Sequence, residues 1–173
     1  MSKTDVKVAQ IHVVADPESD PELLDEFFER FGALDGLQRP SGVADAAASV
    51  EQLRADRIGA ATVTIVLLGT CTWSRAGVDV EIEAALTPGA DGLPNGLLAL
   101  TLDRNAERSK MPERLKRNVE SGYARLYRLP RTVDELAVWV AGAETARSTR
   151  TEKLRQTEDR LAADPPCTDT GVW

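Results

Sequence analysis

Residues 6–15 place Val8, Ile11, Val13 and Val14 in an apolar run with little alternation, the pattern of a strand covered on both faces. Asp20-Pro21 reads as a helix start, with aspartate as the cap and proline where its missing N–H costs nothing. Leu23, Leu24, Phe27, Phe28 and Phe31 follow at helical spacing, and Gly32 stops the helix. Gly36, Pro40 and Gly42 predict a loop over residues 33–42, with room for one short strand. Residues 43–58 are alanine-rich and turn Ala47, Val50, Leu53 and Ile58 to one side, which predicts a second helix. The run TVTIVLLG that follows is β-branched and continuously apolar, as in the centre of a parallel sheet.

Val78, Ile82, Ala85 and Leu86 share one face of a short helix. Residues 97–102 form another buried strand that ends at Asp103, residues 111–120 a polar helix or turn, and residues 123–129 a short apolar segment. Thr132 and Glu135 make a capping-box pattern, and Leu136, Trp139, Val140 and Ala143 form the face of the helix it opens. Beyond Arg147 only Leu154 and Leu161 interrupt a charged stretch, which reads as a solvated helical extension or a partner-binding arm. The sum is an α/β fold: a flavodoxin-like open parallel sheet with helices on both faces, over residues 1–147. A charged C-terminal helical extension occupies residues 148–173. Ligands of such sheets bind beyond the carboxyl ends of the strands, here the loops after Val14, Gly69 and Leu102.

Composition narrows the chemistry. A chain of 173 residues, 42 % hydrophobic, supports one good core. Its net charge of −7 disfavours general nucleic-acid binding, and no apolar run approaches the roughly 20 residues that cross a bilayer, so neither nucleic acid nor membrane is an expected partner. Met1 to Asp5 run straight into strand-like sequence without a signal-peptide pattern, so a cytoplasmic, reduced setting is expected. Cys71 and Cys167 lie far apart and outside metal-ligand spacing, and no metal site is expected. His12 is the single histidine, so imidazole chemistry would have to recruit it. Carboxylates, hydroxyls and backbone dipoles remain. The charge is also uneven: residues 1–100 hold sixteen acidic and seven basic side chains, residues 101–173 twelve acidic and fourteen basic. The basic run from Arg104 to Arg131 could hold a pyrophosphate, form a solvated face, or dock an acidic neighbouring subunit.

The most informative stretch is GTCTWSRAGVDVEIE, where a buried strand delivers a polar loop and then a helix with three carboxylates. Trp73 in that loop could stack on a nucleobase or nicotinamide, although a tryptophan after a strand is commonly a packing residue. Asp16 and Asp103 each follow a strand's carboxyl end and could bind a ribose hydroxyl or cap the next turn. Asp79 and Glu83 read as solvent-facing partners of Arg75 or other bases. His12 within an apolar strand is commonly a hydrogen-bonded core residue; Cys71, in the candidate loop, could sense oxidation, although a cytosolic cysteine after a strand is commonly inert.

The ordered series TVTIVLLGTCTWSRAGVDVEIEAAL, NGLLALTLD and MPERLKRNVESGYARLYRLPRTVDELAVWVAGAETAR resembles the TIR-like domains of the bacterial Thoeris anti-phage defence type, chiefly over residues 62–147. The resemblance implies cleavage of the nicotinamide–ribose bond of NAD, by hydrolysis or with cyclisation, and self-association to complete the site. NAD would be the substrate, and no further cofactor is implied. The family glutamate corresponds to Glu81, whose negative charge would stabilise an oxocarbenium-like transition state without an imidazole. Three departures stand out: Gly77 replaces a bulky residue before the Val-x-x-Glu pattern, His12-Val13-Val14-Ala15-Asp16 stands where the family's first strand commonly ends in serine or a nearby aromatic that lines the nucleotide pocket, and the loop around residues 36–42 lacks a defined motif. They define the alternative, a catalytically silent TIR-like assembly module such as a scaffold or a phage or virion component.

Overall fold

The computed structural model describes residues 9–102, 110–157, 159–161 and 164–167. Four parallel strands pair in chain order: β1 (Ile11–Val14), β2 (Val63–Leu68), β3 (Gly96–Thr101) and β4 (Arg125–Tyr127). In register, Ile11 lies opposite Val63, Val63 opposite Gly96, and Leu98 opposite Arg125. β2 and β3 are buried at every position, which explains their unbroken apolar runs. Alternate side chains feed two cores. Ile65, Leu67, Leu98 and Leu100 pack under α1 (Pro21–Phe31) and α5 (Val133–Thr149), against Phe27, Phe31, Leu136 and Val140. Val66, Leu68, Leu97 and Ala99 pack under α3 (Ala76–Leu86) and α4 (Glu113–Ser121), against Val78, Ile82 and Leu115.

The predicted fold class is therefore the observed one, with one strand fewer than its type among the described residues. In the flavodoxin-like order 2-1-3-4-5, the chain goes from the first strand to an outer strand and returns across the sheet. Here α1 lies on the α5 face, while α2 (Val50–Leu53) and the π-helical turn Arg54–Ile58 pack on α3 on the opposite face. The crossover from β1 to β2 changes faces without forming the outer strand, and no strand occurs among residues 33–42.

Local chemistry explains the other departures. The second helix starts at Val50, not at residue 43, because Asp45 first closes a turn: its carbonyl accepts from Ala48 N at 3.0 Å and its carboxylate from Ala47 N at 2.9 Å. Ser49 then caps α2 by accepting from Gln52 N at 3.1 Å. Asp20 does not cap α1; its carboxylate accepts from the amide and the hydroxyl of Thr70, both at 2.8 Å, and ties the start of α1 to the loop after β2. Thr132 does cap α5, accepting from Glu135 N at 3.1 Å, as the capping box predicted. Gly122, at φ 83°, gives α4 a left-handed stop.

Among the described residues the C-terminal extension is helical only at its start. α5 ends at Thr149, a single 3-10 turn follows at Thr151–Lys153, and the remainder runs back over α4 and α3. Arg114, 1 % exposed, draws it there by donating to the carbonyls of Thr157 at 2.7 Å and Asp159 at 3.2 Å. A helix would have used those carbonyls internally. No described helix is long and apolar enough to cross a membrane.

Two glycines on facing elements differ in sign. A Cβ on Gly96 would lie 2.0 Å from the carbonyl oxygen of Ala143 in α5, whereas one on the exposed helical Gly142 would meet nothing within 4 Å. Urea unfolding should show Gly96→Ala destabilised by about 2 kcal/mol or more, and Gly142→Ala stabilised by about 0.5–1 kcal/mol.

Candidate functional site

A cleft of about 360 Å³ opens at the carboxyl edge of the sheet, between the ends of β1 and β2. That size sits at the lower end of ligand sites, roughly 300–1,000 Å³. Asp16 after β1, Val43 and Ala44 of the crossover, Arg75 and Gly77 at the start of α3, and Asp164 of the C-terminal segment line it. It occupies the place where strand order would reverse had the outer strand formed, which is where open α/β sheets bind ligands.

Glu81 lies one helical turn beyond Gly77 and is 2 % exposed. Its Oε1 accepts from Ala44 N at 2.8 Å and from Arg57 Nη1 at 2.9 Å, and its Oε2 lies 3.0 Å from His12 Nε2. An ionised carboxylate only accepts, so the proton of that last bond belongs on His12 Nε2. Arg57 also donates to the carbonyls of Gly42 at 2.7 Å and Val43 at 3.4 Å. Residues 42–44 thus lie between Glu81 and the cleft. Gly77 makes this possible, because a Cβ there would lie 2.0 Å from the Ala44 carbonyl oxygen and 2.5 Å from Val43 Cγ1. The absence of the bulky residue is the condition for the loop's close approach to α3.

Asp16 is buried, accepting from Arg75 Nε at 2.7 Å, Ser19 Oγ at 2.6 Å and Glu18 N at 3.2 Å. Burial pushes its carboxyl up, but the bonds from Ser19, Arg75 and the Glu18 amide outweigh it and hold the group below the usual carboxylate range. The same bond from Asp16, joined by Asp164, holds the Arg75 guanidinium above its ordinary value. Asp164 Oδ1 accepts from Ala76 N, the first helical amide of α3, at 2.8 Å, and Oδ2 from Arg75 Nη1 at 3.2 Å.

Of the predicted site residues, the structure brings Asp16 to the cleft and Glu81 directly beneath it. Trp73 sits half-buried on the 3-10 turn Thr72–Ser74, with the Lys110 ammonium 4.5 Å from its ring centre, and does not line the cleft. Asp103, Arg104 and Arg108 lie outside the described residues. His12 is a hydrogen-bonded core residue, as expected, but its partner is Glu81 itself. Asp79 and Glu83 pair with bases other than Arg75: Asp79 is buried, not solvent-facing, against Arg114 Nε at 3.1 Å, and Glu83 accepts from Arg160 Nε at 2.5 Å. Cys71 is not the inert cysteine expected in a reduced setting: it is joined to Cys167 in a disulfide, their Cα atoms 5.5 Å apart. Arg57 and Asp164 carried no local signal, since only the folded crossover and the returning C-terminal segment bring them to the cleft.

These features define an open parallel α/β domain with an acidic helix behind its switch-point cleft. Residues 24–107, just under half of the chain, match the family model of the Thoeris protein ThsB, TIR-like domain, and this segment is similar to that family. The match starts at α1, earlier than the motif series suggested, and ends before α4, so it includes Glu81 and most of the cleft. No curated protein and no solved structure matches.

Because Asp16 titrates below its unfolded value, its stabilising effect is complete above about pH 4 and is lost as the pH falls below that. Asp16→Asn should cost about 1–3 kcal/mol at pH 7 in chemical denaturation. The gap from the parent should narrow as the pH is lowered from 4 towards 2.

Proposed function

We propose that this chain is an anti-phage defence TIR domain that cleaves the nicotinamide–ribose bond of NAD, with Glu81 as the catalytic carboxylate. The observation that carries the reading is the position of Glu81: on the family-matched helix, one turn below the cleft, with residues 42–44 between its carboxylate and the cleft. Nicotinamide leaves as a neutral molecule when the C1′–N bond breaks and its electron pair passes to the ring nitrogen. Positive charge then develops on the ribose. A fixed carboxylate beside that charge lowers the barrier, and water or a nucleophile within the product completes hydrolysis or cyclisation. In the structure Glu81 Oε1 is occupied by Ala44 N and Arg57, so substrate must displace residues 42–44 to reach it. On this reading the described form is a resting one, and self-association is the event that completes the site.

The test is nicotinamide release from NAD at rising protein concentration. Wild type should turn over, and Glu81→Gln, which keeps an acceptor for the Ala44 amide and whose fold is checked by circular dichroism, should fall by roughly 100-fold or more. A folded wild type that neither binds NAD nor releases nicotinamide at any concentration overturns the reading. It would leave Glu81 as the staple of the crossover and favour the silent assembly module.

A further inference from the structure

The C-terminal segment has two attachments of different kinds. Its first part is held by buried groups: Asn118 both donates to the carbonyl of Arg155 at 2.7 Å and accepts from its amide at 2.9 Å, and Arg114 binds the carbonyls of Thr157 and Asp159. Arg160 then bridges Glu83 on α3 and the carbonyl of Ala48 in the crossover, at 2.5 and 3.2 Å. The last described part rests on exposed groups. Asp164 retains 47 % of its side-chain exposure and Arg75 28 %, and an ion pair so wetted holds little by itself. Beyond it stands the Cys71–Cys167 disulfide, which joins this end to the loop leaving β2. Asp164 lines the cleft mouth, between the covalent tie and the buried anchor.

A covalent bond that makes a weak contact persistent is a point of control. Both cysteines are half-buried at the surface and within reach of a small thiol. In reducing compartments protein disulfides are usually transient or redox-sensing, not structural. We propose that Cys71–Cys167 is a reversible redox site, a latch that holds Asp164 at the mouth of the cleft, so that this side is closed in the oxidised chain and open in the reduced one. The reductant is a dithiol. One of its thiolates attacks Cys167 Sγ, the S–S bond breaks, and Cys71 leaves as a thiolate that takes up a proton. The second thiol then closes on the mixed disulfide and releases Cys167. Two electrons and two protons pass to the protein, and the dithiol becomes a cyclic disulfide. Asp164, freed from its tether, then exchanges off Arg75 and the Ala76 amide, which uncovers that side of the cleft. The segment up to Leu161 stays docked through Arg114 and Asn118.

The importance of the latch to activity rests on the NAD reading, but its mechanics are measured without NAD. The full chain is compared oxidised, reduced with dithiothreitol, and as Cys167→Ser, by hydrogen exchange read on peptides covering residues 75–79, 113–121 and 133–149. Exchange at the Ala76 amide should quicken at least tenfold on reduction and in Cys167→Ser, while α4 and α5 stay unchanged. Nicotinamide release should rise severalfold in the same two samples. Unchanged exchange at Ala76 on reduction overturns the latch, as does quantitative alkylation of both cysteines in the folded, air-oxidised chain. Faster exchange without any turnover sustains the latch and counts against NAD cleavage alone.

Discussion

The carboxylate of Glu81 is the point on which three separate pieces of this chain converge. A charge taken out of water must be met by donors, or it costs more than the fold can bear. Those donors are His12 from β1, Arg57 from the turn before β2, and the Ala44 amide from the segment between them. No two come from the same element, so satisfying this one side chain places β1, the crossover and α3 relative to each other. Arg57 extends the arrangement by binding the Gly42 and Val43 carbonyls as well. Gly77 supplies the space, since any side chain there would collide with Ala44. The crossover lacks a sheet partner of its own, and a hydrogen-bonded charge serves in its place.

Most of the fold was legible because its signals are local and mutually consistent. β2, β3 and α5 appear where apolar runs and a capping box put them, and the alternation of strands with helices led to the right class. What could not be read depends on distant partners. Asp20 has the sequence of a cap but meets Thr70 instead, fifty residues away. The charged stretch after Arg147 has helix-compatible composition, yet Arg114 and Asn118 claim its backbone. The candidate site divides likewise: Asp16 follows from its position after a strand and Glu81 from the family resemblance, whereas Arg57, Asp164 and the Cys71–Cys167 pair follow only from topology. Gly77, conspicuous as a departure from the family pattern, turned out to be the residue that lets the crossover cover the glutamate.

The charge asymmetry of the sequence takes on another meaning in three dimensions. Asp79 with Arg114, Glu83 with Arg160, and Asp91 with Arg147 each join the acidic first part to the basic second part within one molecule. Much of the attraction that could have been directed at a neighbour is used to hold the C-terminal elements on the sheet. The cleft shows the same economy, with Asp16 and Asp164 on either side of Arg75.

The missing outer strand also shapes the order in which the molecule can assemble. β2, α3, β3, α4 and β4 follow one another with short connections, so their contacts close early and at little entropic cost. β1 must instead wait for a partner on the far side of residues 15–62. His12 rides on β1, and Arg57 sits at the end of that long excursion. The groups that surround Glu81 therefore come together through the most non-local pairing in the sheet, and completion of the pocket coincides with completion of the fold.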